Sequence, residues 1–324
     1  MRIKITRLEP LGSGQREPYT QTYELDVVEG MTVLETLIKI AEELDQTLSF
    51  RSSCRSSICG SCALEINGIP MLACRTQILP EYEKGSGGIT IAPLSNHRVI
   101  KDLVIDLAPF WEKINSVAPY LTPCEGFEDI KMTKEDGARI HDSQKCIMCG
   151  ACNSACNALD IDKRFIGPAA LAKAWRIIGD AREGRVKQRL EALSLSHGVW
   201  DCVRCAHCTE YCPKEVAPLE KIERLRSRAI EQDVTENHGA RHAIAMAESI
   251  KRVGRLDEAA MTFKTLGFLR SLGMVPFGMK MELHGKMPHP ILFPAIEGID
   301  EVRKLFLEWE KEKKREKRRN SPCH

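Results

Sequence analysis

Apolar and polar positions alternate along residues 1–8 and again along 19–28, the period of strands with one buried face. Gly12-Ser13-Gly14 between them reads as a turn. From 32 to 44 the period lengthens, and Val33, Leu34, Leu37, Ile38, Ala41 and Leu44 share one face of a predicted helix. Short strands at 63–66 and 69–73 flank Asn67-Gly68, a two-residue hairpin signal. A last strand, Ile89 to Ala92, follows Gly85-Ser86-Gly87-Gly88. Beyond about 97 the pattern turns helical. Leu103, Leu107, Phe110, Trp111 and Ile114 predict a helix over 101–115, and Pro168 opens another through Leu171, Ala174, Trp175 and Ile178. Further helices are expected over 215–231 and from Asn237 to Lys251. Trp111 and Trp175 read as core residues rather than redox relays.

Cysteine spacing changes the picture. Twelve of the 14 cysteines fall into three runs: Cys54-x4-Cys59-x2-Cys62 closed by Cys74, Cys146-x2-Cys149-x2-Cys152-x3-Cys156, and Cys202-x2-Cys205-x2-Cys208-x3-Cys212 followed by Pro213. The first is the plant-type 2Fe–2S spacing; the other two are the run that builds paired 4Fe–4S clusters. In such pairs the fourth cysteine of each run serves the other cluster. That logic places Cys146, Cys149, Cys152 and Cys212 on one cluster, and Cys156, Cys202, Cys205 and Cys208 on the other. Thiolate quartets also hold structural zinc, but zinc sites usually pair two CxxC knuckles across a spacer. Iron–sulfur is therefore favoured, with a zinc-stabilised interaction scaffold as the rival of a different class. Cys124 and Cys323 belong to no run; Cys124 reads as a small packing residue.

Strands and one helix around the first run, then helices around the others, give an α+β reading. Residues 1–96 are expected to form a β-grasp 2Fe–2S ferredoxin domain. Residues 97–233 are expected to form an α-helical ferredoxin domain with two 4Fe–4S clusters, and 234–324 a C-terminal extension. Gly and Ser around Cys54–Cys62 suit a loop that turns backbone N–H groups toward sulfur.

Charge and length narrow the partners. At 324 residues and a net charge of +2, nothing points to nucleic acid. The opening MRIKITRLEP lacks an apolar targeting core, so a reducing compartment is expected. No apolar stretch approaches the roughly 18–20 residues that span a bilayer, and membrane contact is expected through a partner. No dinucleotide fingerprint follows a strand, so no flavin is assigned to this chain. His238 and His242 lie four apart on a predicted helix but lack a third ligand, and are read as packing or surface residues.

The segments Ser52-Ser53-Cys54-Arg55-Ser56-Ser57-Ile58-Cys59-Gly60-Ser61-Cys62-Ala63 and Leu72-Ala73-Cys74-Arg75 resemble the 2Fe–2S signature of the iron–sulfur subunit of succinate dehydrogenase and fumarate reductase. Val99 to Asp106 and Pro119-Tyr120-Leu121 are similar to that family's inter-domain region, and the resemblance runs to about residue 233. It implies an electron-transfer subunit between an FAD-containing flavoprotein and a membrane partner, with the order 2Fe–2S, the Cys146 cluster, then the Cys202 cluster. Most relatives carry a non-cysteine residue at the position of Cys205 and hold a 3Fe–4S cluster there. Here the quartet is complete, so a second 4Fe–4S is implied, appearing as 3Fe–4S only after oxidative loss of iron.

The sequence Cys156-Asn157-Ala158-Leu159-Asp160-Ile161 lacks the Trp that helps common members bind quinone. These departures resemble the methylmenaquinol:fumarate reductase type, whose membrane-side partner is cysteine-rich and heterodisulfide-reductase-like; another membrane-anchor subunit is the alternative partner. A peripheral place is expected, on the cytoplasmic face, with export together with a partner subunit as the alternative. The rival within redox chemistry is a subunit of a glycerol-3-phosphate or glycolate dehydrogenase. In the extension, Phe263, Leu266, Phe268, Leu269, Leu272, Met274, Val275, Phe277 and Met279 form a run too apolar for water and too broken to span a bilayer. It reads either as an interface or as packing on the chain's own helices. The tail 311–319 is strongly basic, either a solvated end or a contact for anionic lipid.

Overall fold

A computed structural model describes residues 1–10, 17–85, 88–126, 128, 131–286 and 294–319. The expected turn at Gly12-Ser13-Gly14, the Ser86-Gly87 pair and Cys323 lie outside the described residues. The chain divides into two compact units. One holds residues 1–121, 132–180 and 202–225, and the other 122–131, 181–201 and 226–324.

The first unit opens with β1 (Arg2–Arg7), β2 (Tyr19–Glu24), α1 (Val33–Glu43), β3 (Ala63–Ile66), β4 (Ile69–Leu72), α2 (Ile78–Lys84) and β5 (Ile89–Ala92). The strands form one sheet in the order β2-β1-β5-β3-β4. β1 runs parallel to β5, pairing Ile3 with Ile89 and Ile5 with Ile91, and all four side chains are fully buried. Period-two alternation puts them on one face, and α1 covers that face with Val33, Leu34, Leu37 and Ile40. This is the β-grasp arrangement. The buried stripe of α1 differs slightly from the sequence reading, because Ile40 is in the core while Leu44 is the exposed C-cap. Thr32 starts the helix with a capping box, its hydroxyl accepting from Glu35 N–H while the Glu35 carboxylate accepts from Thr32 N–H.

The helix expected over 101–115 is corrected. Residues 99–105 instead make a two-stranded hairpin, β6 (Val99–Lys101) and β7 (Val104–Ile105), and helix α3 begins only at Ala108 and ends at Ser116. Two causes are visible. The β-branched residues Val99, Ile100, Val104 and Ile105 suit strands, and Asp102 takes a positive φ of 46° at the turn. Leu103 and Ile105 join the β-grasp core, so this segment packs on that core as a separate two-stranded sheet rather than opening the helical half. Trp111 is also corrected: it is 45% exposed, and Phe110 and Ile114 are the buried residues of α3.

Asp102 anchors a buried ionic cluster. Arg7 donates from Nε to Asp102 Oδ1 at 2.9 Å and from Nη1 to Asp45 Oδ2 and the Tyr23 hydroxyl at 2.6 Å each. Asp102 also accepts from the backbone N–H groups of Leu8 and Ser49. Burial works against the Arg7 charge, but Asp102 and Asp45 together hold its pKa above the ordinary arginine value. Hydrogen bonds from Thr47 and Tyr23 hold the Asp45 carboxyl well below the usual carboxylate range.

The rest of the first unit is helical: α4 (Lys134–Gln144), the short α5 (Ala151–Ser154) and α6 (Asn157–Ile161), and α7 (Pro168–Ile178) with proline in its first turn as expected. Trp175 is buried, as expected, and its indole N–H donates to the Arg139 carbonyl at 3.2 Å. The second unit contributes α8 (Val186–Leu193) and a 3₁₀ turn at Val199–Asp201. Helix α9 (His207–Glu210) returns to the first unit, and α10 (Pro218–Glu231) carries residues of both.

In the second unit Glu183 is buried, pairs with Arg189 at 3.1 Å and accepts from Thr122 N–H. Cys124 lies close by, its N–H donating to the Arg182 carbonyl at 3.2 Å. The extension folds into α11 (His238–Val253), α12 (Glu258–Leu266), α13 (Phe268–Leu272), α14 (Val275–Leu283) and α15 (Ile299–Arg319). Asn237 caps α11 through its side chain, and Gly254 ends it in the left-handed conformation.

Arg7→Ala is expected to destabilise the β-grasp domain by about 3–5 kcal/mol, because it strands two carboxylates in a buried cluster. The check is a denaturant titration of the holoprotein against the wild type. The Asp45 contribution has a definite sign. Its folded pKa lies below the ordinary value, so its stabilisation is present above about pH 4 and fades only as pH falls below that. An acid titration should show no Asp45-dependent loss between pH 5 and 8.

Candidate iron–sulfur sites

The first quartet sits where a loop and a hairpin meet. The turn Asn67-Gly68, both residues at positive φ, reverses the chain between β3 and β4 and returns Cys74 to the loop carrying Cys54, Cys59 and Cys62. Ala73 N–H donates to the Cys62 carbonyl at 3.0 Å, fixing the register of that return. The loop turns its amides inward, as its Gly and Ser content suggested. Ser56, Ile58 and Cys59 N–H groups aim at Cys54 Sγ at 3.3–3.4 Å, and Ser57 N–H at Cys74 Sγ at 3.4 Å. Arg55 and Ser57 adopt positive φ to make this possible. The thiols are not equivalent. A hydrogen bond from Ser61 draws Cys59 down to about 6, whereas burial pushes Cys62 up to about 12.

The other two runs fold alike, residue for residue. Met148 and Arg204 take φ of 55° and 59°, and Gly150 and Ala206 take 82° and 68°. Each run then enters a one-turn helix, α5 or α9, after which Cys156 N–H donates to Asn153 O and Cys212 N–H to Thr209 O, both at 3.3 Å. Cys205 therefore occupies in its loop the place that Cys149 occupies in the other.

Two cavities lie against these loops. One is lined by Cys146, Cys149, Cys152 and Cys212. The other is lined by Cys156, Cys202, Cys205 and Cys208. The fourth cysteine of each run thus faces the other run's cavity. The remaining walls are largely apolar, with Ala169 and Ala172 of α7 in the first cavity and Phe165, Leu219 and Ile222 in the second.

Among the described residues no group of three or more His, Cys, Asp or Glu converges on a single-ion position; the quartets surround a volume instead. Burial raises the pKa of Cys146, brings Cys149 to about 11 and Cys208 to about 12, and lifts Cys152 well above the ordinary thiol value. Neighbouring thiolates add to the effect on Cys152, among them Cys208 of the second quartet. Soft thiolates crowded in dry cavities are a donor set suited to iron–sulfur clusters, whose binding displaces the protons.

Several residues that hold the sites together were not singled out from the sequence. Asn96 donates from Nδ2 to the carbonyls of Asn153, Ser154 and Cys156 at 3.0–3.3 Å. Ser154 donates to Glu65 of β3 at 2.6 Å, and Arg75, next to Cys74, donates to the Pro213 carbonyl beside Cys212 at 3.2 Å. Gly60 is the tightest of these contacts. It has φ +74°, and a Cβ there would stand 2.8 Å from Cys149 Cβ, 3.0 Å from Cys149 Cα and 3.1 Å from the Ile147 carbonyl. Only glycine lets the 2Fe–2S loop rest on the loop of the next quartet. Its place between Cys59 and Ser61 was the one available signal. His238, in contrast, is committed elsewhere: its Nδ1 faces the Thr265 carbonyl at 3.1 Å and its Nε2 the Arg270 guanidinium at 3.1 Å. That agrees with its reading as a packing or surface residue, and His238 is exposed.

Fold and sites define a two-part iron–sulfur protein. Residues 2–112 match the family described as 2Fe-2S iron-sulfur cluster binding domain, and residues 142–216 the one described as 4Fe-4S dicluster domain. Over 261 residues the chain is 34% identical to the 8-methylmenaquinol:fumarate reductase iron-sulfur subunit of Wolinella succinogenes, a match covering 78% of this chain and 82% of that one. It is 36% identical over 235 residues to the mitochondrial succinate dehydrogenase [ubiquinone] iron-sulfur subunit 1 of Oryza sativa subsp. japonica, covering 71% and 82%. The Mycobacterium smegmatis Sdh1 complex in the apo form contains a chain that superposes with a TM-score of 0.59 at 25% identity, over 72% of this chain and 97% of that one. The chain belongs to the family of iron–sulfur subunits of succinate dehydrogenase and fumarate reductase, and is a subunit of that class of oxidoreductase.

Gly60→Val should separate the two loops. The left-handed backbone alone costs a β-branched residue about 1–2 kcal/mol, and the clash with Cys149 adds to it. The expected result is a retained 2Fe–2S absorbance with a weakened magnetic interaction between the first two centres, measured by electron paramagnetic resonance of the reduced protein.

Proposed function

We propose that this chain passes single electrons between an FAD-containing flavoprotein subunit and a quinone- or thiol-linked membrane-side subunit. The partner fitting its departures from the common subunit is cysteine-rich and heterodisulfide-reductase-like. The chain itself is then a peripheral member of the assembly, on the cytoplasmic face. No helix among the described residues is long and apolar enough to cross a membrane.

The ligand sets proposed are Cys54, Cys59, Cys62 and Cys74 for one 2Fe–2S cluster, Cys146, Cys149, Cys152 and Cys212 for one 4Fe–4S, and Cys156, Cys202, Cys205 and Cys208 for a second. The observation that carries the exchange of fourth ligands is the pair of cavities, each lined by three cysteines of one run and the last of the other. Bound clusters would supply one-electron reduction and oxidation without bond making. The chain's own residues do the rest. Gly60 keeps the first two sites in contact, and Cys152 and Cys208 bring the second and third together. Apolar walls from α7 and α10 keep water from the inner sites. Lys113 donates to the carbonyls of Lys163 and Phe165, which brings its ammonium near Cys156.

Anaerobically purified protein should hold about ten irons per chain with matching acid-labile sulfide. Colourless, zinc-loaded protein would favour the scaffold reading instead. Cys205→Ser is expected to turn the last centre into a 3Fe–4S species, visible in the oxidised protein, while the other two signals persist. Cys212→Ala should remove the centre of the Cys146 run. Damage confined to the centre of the Cys202 run would refute the exchanged ligation.

A further inference from the structure

Helix α14 has no buried residue: Val275, Phe277, Met279 and Leu283 are all exposed, Leu283 at 85%. Val275, Met279 and Leu283 share one stripe at four-residue spacing, Phe277 stands on the opposite side, and α13 adds Phe268 and Leu269, the latter 83% exposed. A single stripe suits a partner protein's groove, whereas apolar side chains on opposite sides of a helix call for burial on both, as at a lipid interface. At nine residues α14 is about 13 Å long, less than half a bilayer's hydrocarbon thickness, so it can enter an interface but not cross.

Charge points the same way. From 264 to 286 the cations Lys264, Arg270, Lys280 and Lys286 face a single acidic residue, Glu282. The basic half of α15 joins them. Arg270 reaches His238, the first residue of α11, while Lys313 reaches Glu231, at the end of the helix that leads into α11. Lys314 and Arg315 are exposed just beyond Lys313.

We infer that the α13–α14 segment, with Lys314 and Arg315 of α15, forms a docking surface for an anionic lipid membrane, the apolar residues entering the interface and the cations holding acidic headgroups. Lipid contact of this kind combines buried apolar area with attraction to anionic lipid. The inference goes beyond the relay reading and stands whether or not that reading holds.

The test is co-sedimentation of the full-length holoprotein with phosphatidylcholine vesicles and with vesicles containing one quarter phosphatidylglycerol. Binding is expected to the anionic vesicles, at least tenfold above the neutral ones, and to weaken as salt rises. Phe277→Ser with Leu283→Ser should reduce it about tenfold, and so should Lys280→Glu with Lys314→Glu. The cluster absorbance reports that each variant remains folded. Failure to bind anionic vesicles at low salt overturns the proposal, as does binding that survives both double substitutions. If Phe277→Ser with Leu283→Ser leaves vesicle binding intact but blocks co-purification of the other subunits, the surface serves a protein partner and the lipid reading is wrong.

Discussion

The structure of the cluster-bearing unit depends on one electrostatic constraint: crowded thiols must be held where they cannot ionise comfortably by themselves. Burial raises the pKa of every thiol resolved in the two cavities, and the charges of neighbouring thiolates raise it further. An iron–sulfur core bound there would supply the positive charge that relieves this repulsion, and filling the cavities would then be coupled to folding of the helical domain. The exchanged positions of Cys156 and Cys212 extend that coupling along the chain. Each cavity is closed by a residue more than forty positions from the rest of its set, so neither run can form a complete site while the other is unfolded.

A second constraint concerns distance. Electron passage requires neighbouring sites to approach closely, yet each is wrapped in its own loop. The chain answers with backbone that occupies little room. Gly60 rests on Cys149 without a side chain, and α7 presents Ala169 and Ala172 to the first cavity. Hydrogen bonds then fix the approach. Asn96 holds three carbonyls around the end of the first helical run, and Arg75 ties the Cys74 return to the backbone beside Cys212.

Much of this was legible because cysteine spacing is a geometric statement in its own right. Four thiols at intervals of three, three and four residues leave little freedom in how three can surround one volume, and the cavities at Cys146 and Cys202 have that arrangement. The β-grasp core was legible through Ile3, Ile5, Ile89 and Ile91, whose alternation matches their pairing. The hairpin at 99–105 was misread for a physical reason. Leu103 and Leu107 happen to fall at helical spacing with Phe110, while the decisive interaction is the contact of Asp102 with Arg7, ninety-five residues away. No local pattern carries a pairing of that length. Asn96 escaped for the same reason: its partners lie beyond residue 150.

The internal repeat bears on the fourth thiolate proposed for the second of these quartets. Because the loops around Cys149 and Cys205 share their left-handed positions and their one-turn helices, accepting a fourth thiolate at 205 requires no new backbone. The two cavities differ in their surroundings rather than their frames. Pro213, Lys214 and Val216 border the first, and Phe165 and Pro168 the second. Potentials of such centres respond to net charge, hydrogen bonds to sulfur and exposure. In the first cavity Val216 N–H reaches Cys212 Sγ at 3.4 Å, favouring the more negative state of sulfur there. Since about 59 mV changes a one-electron equilibrium tenfold, modest differences between the walls suffice to separate the potentials of two centres built on one frame.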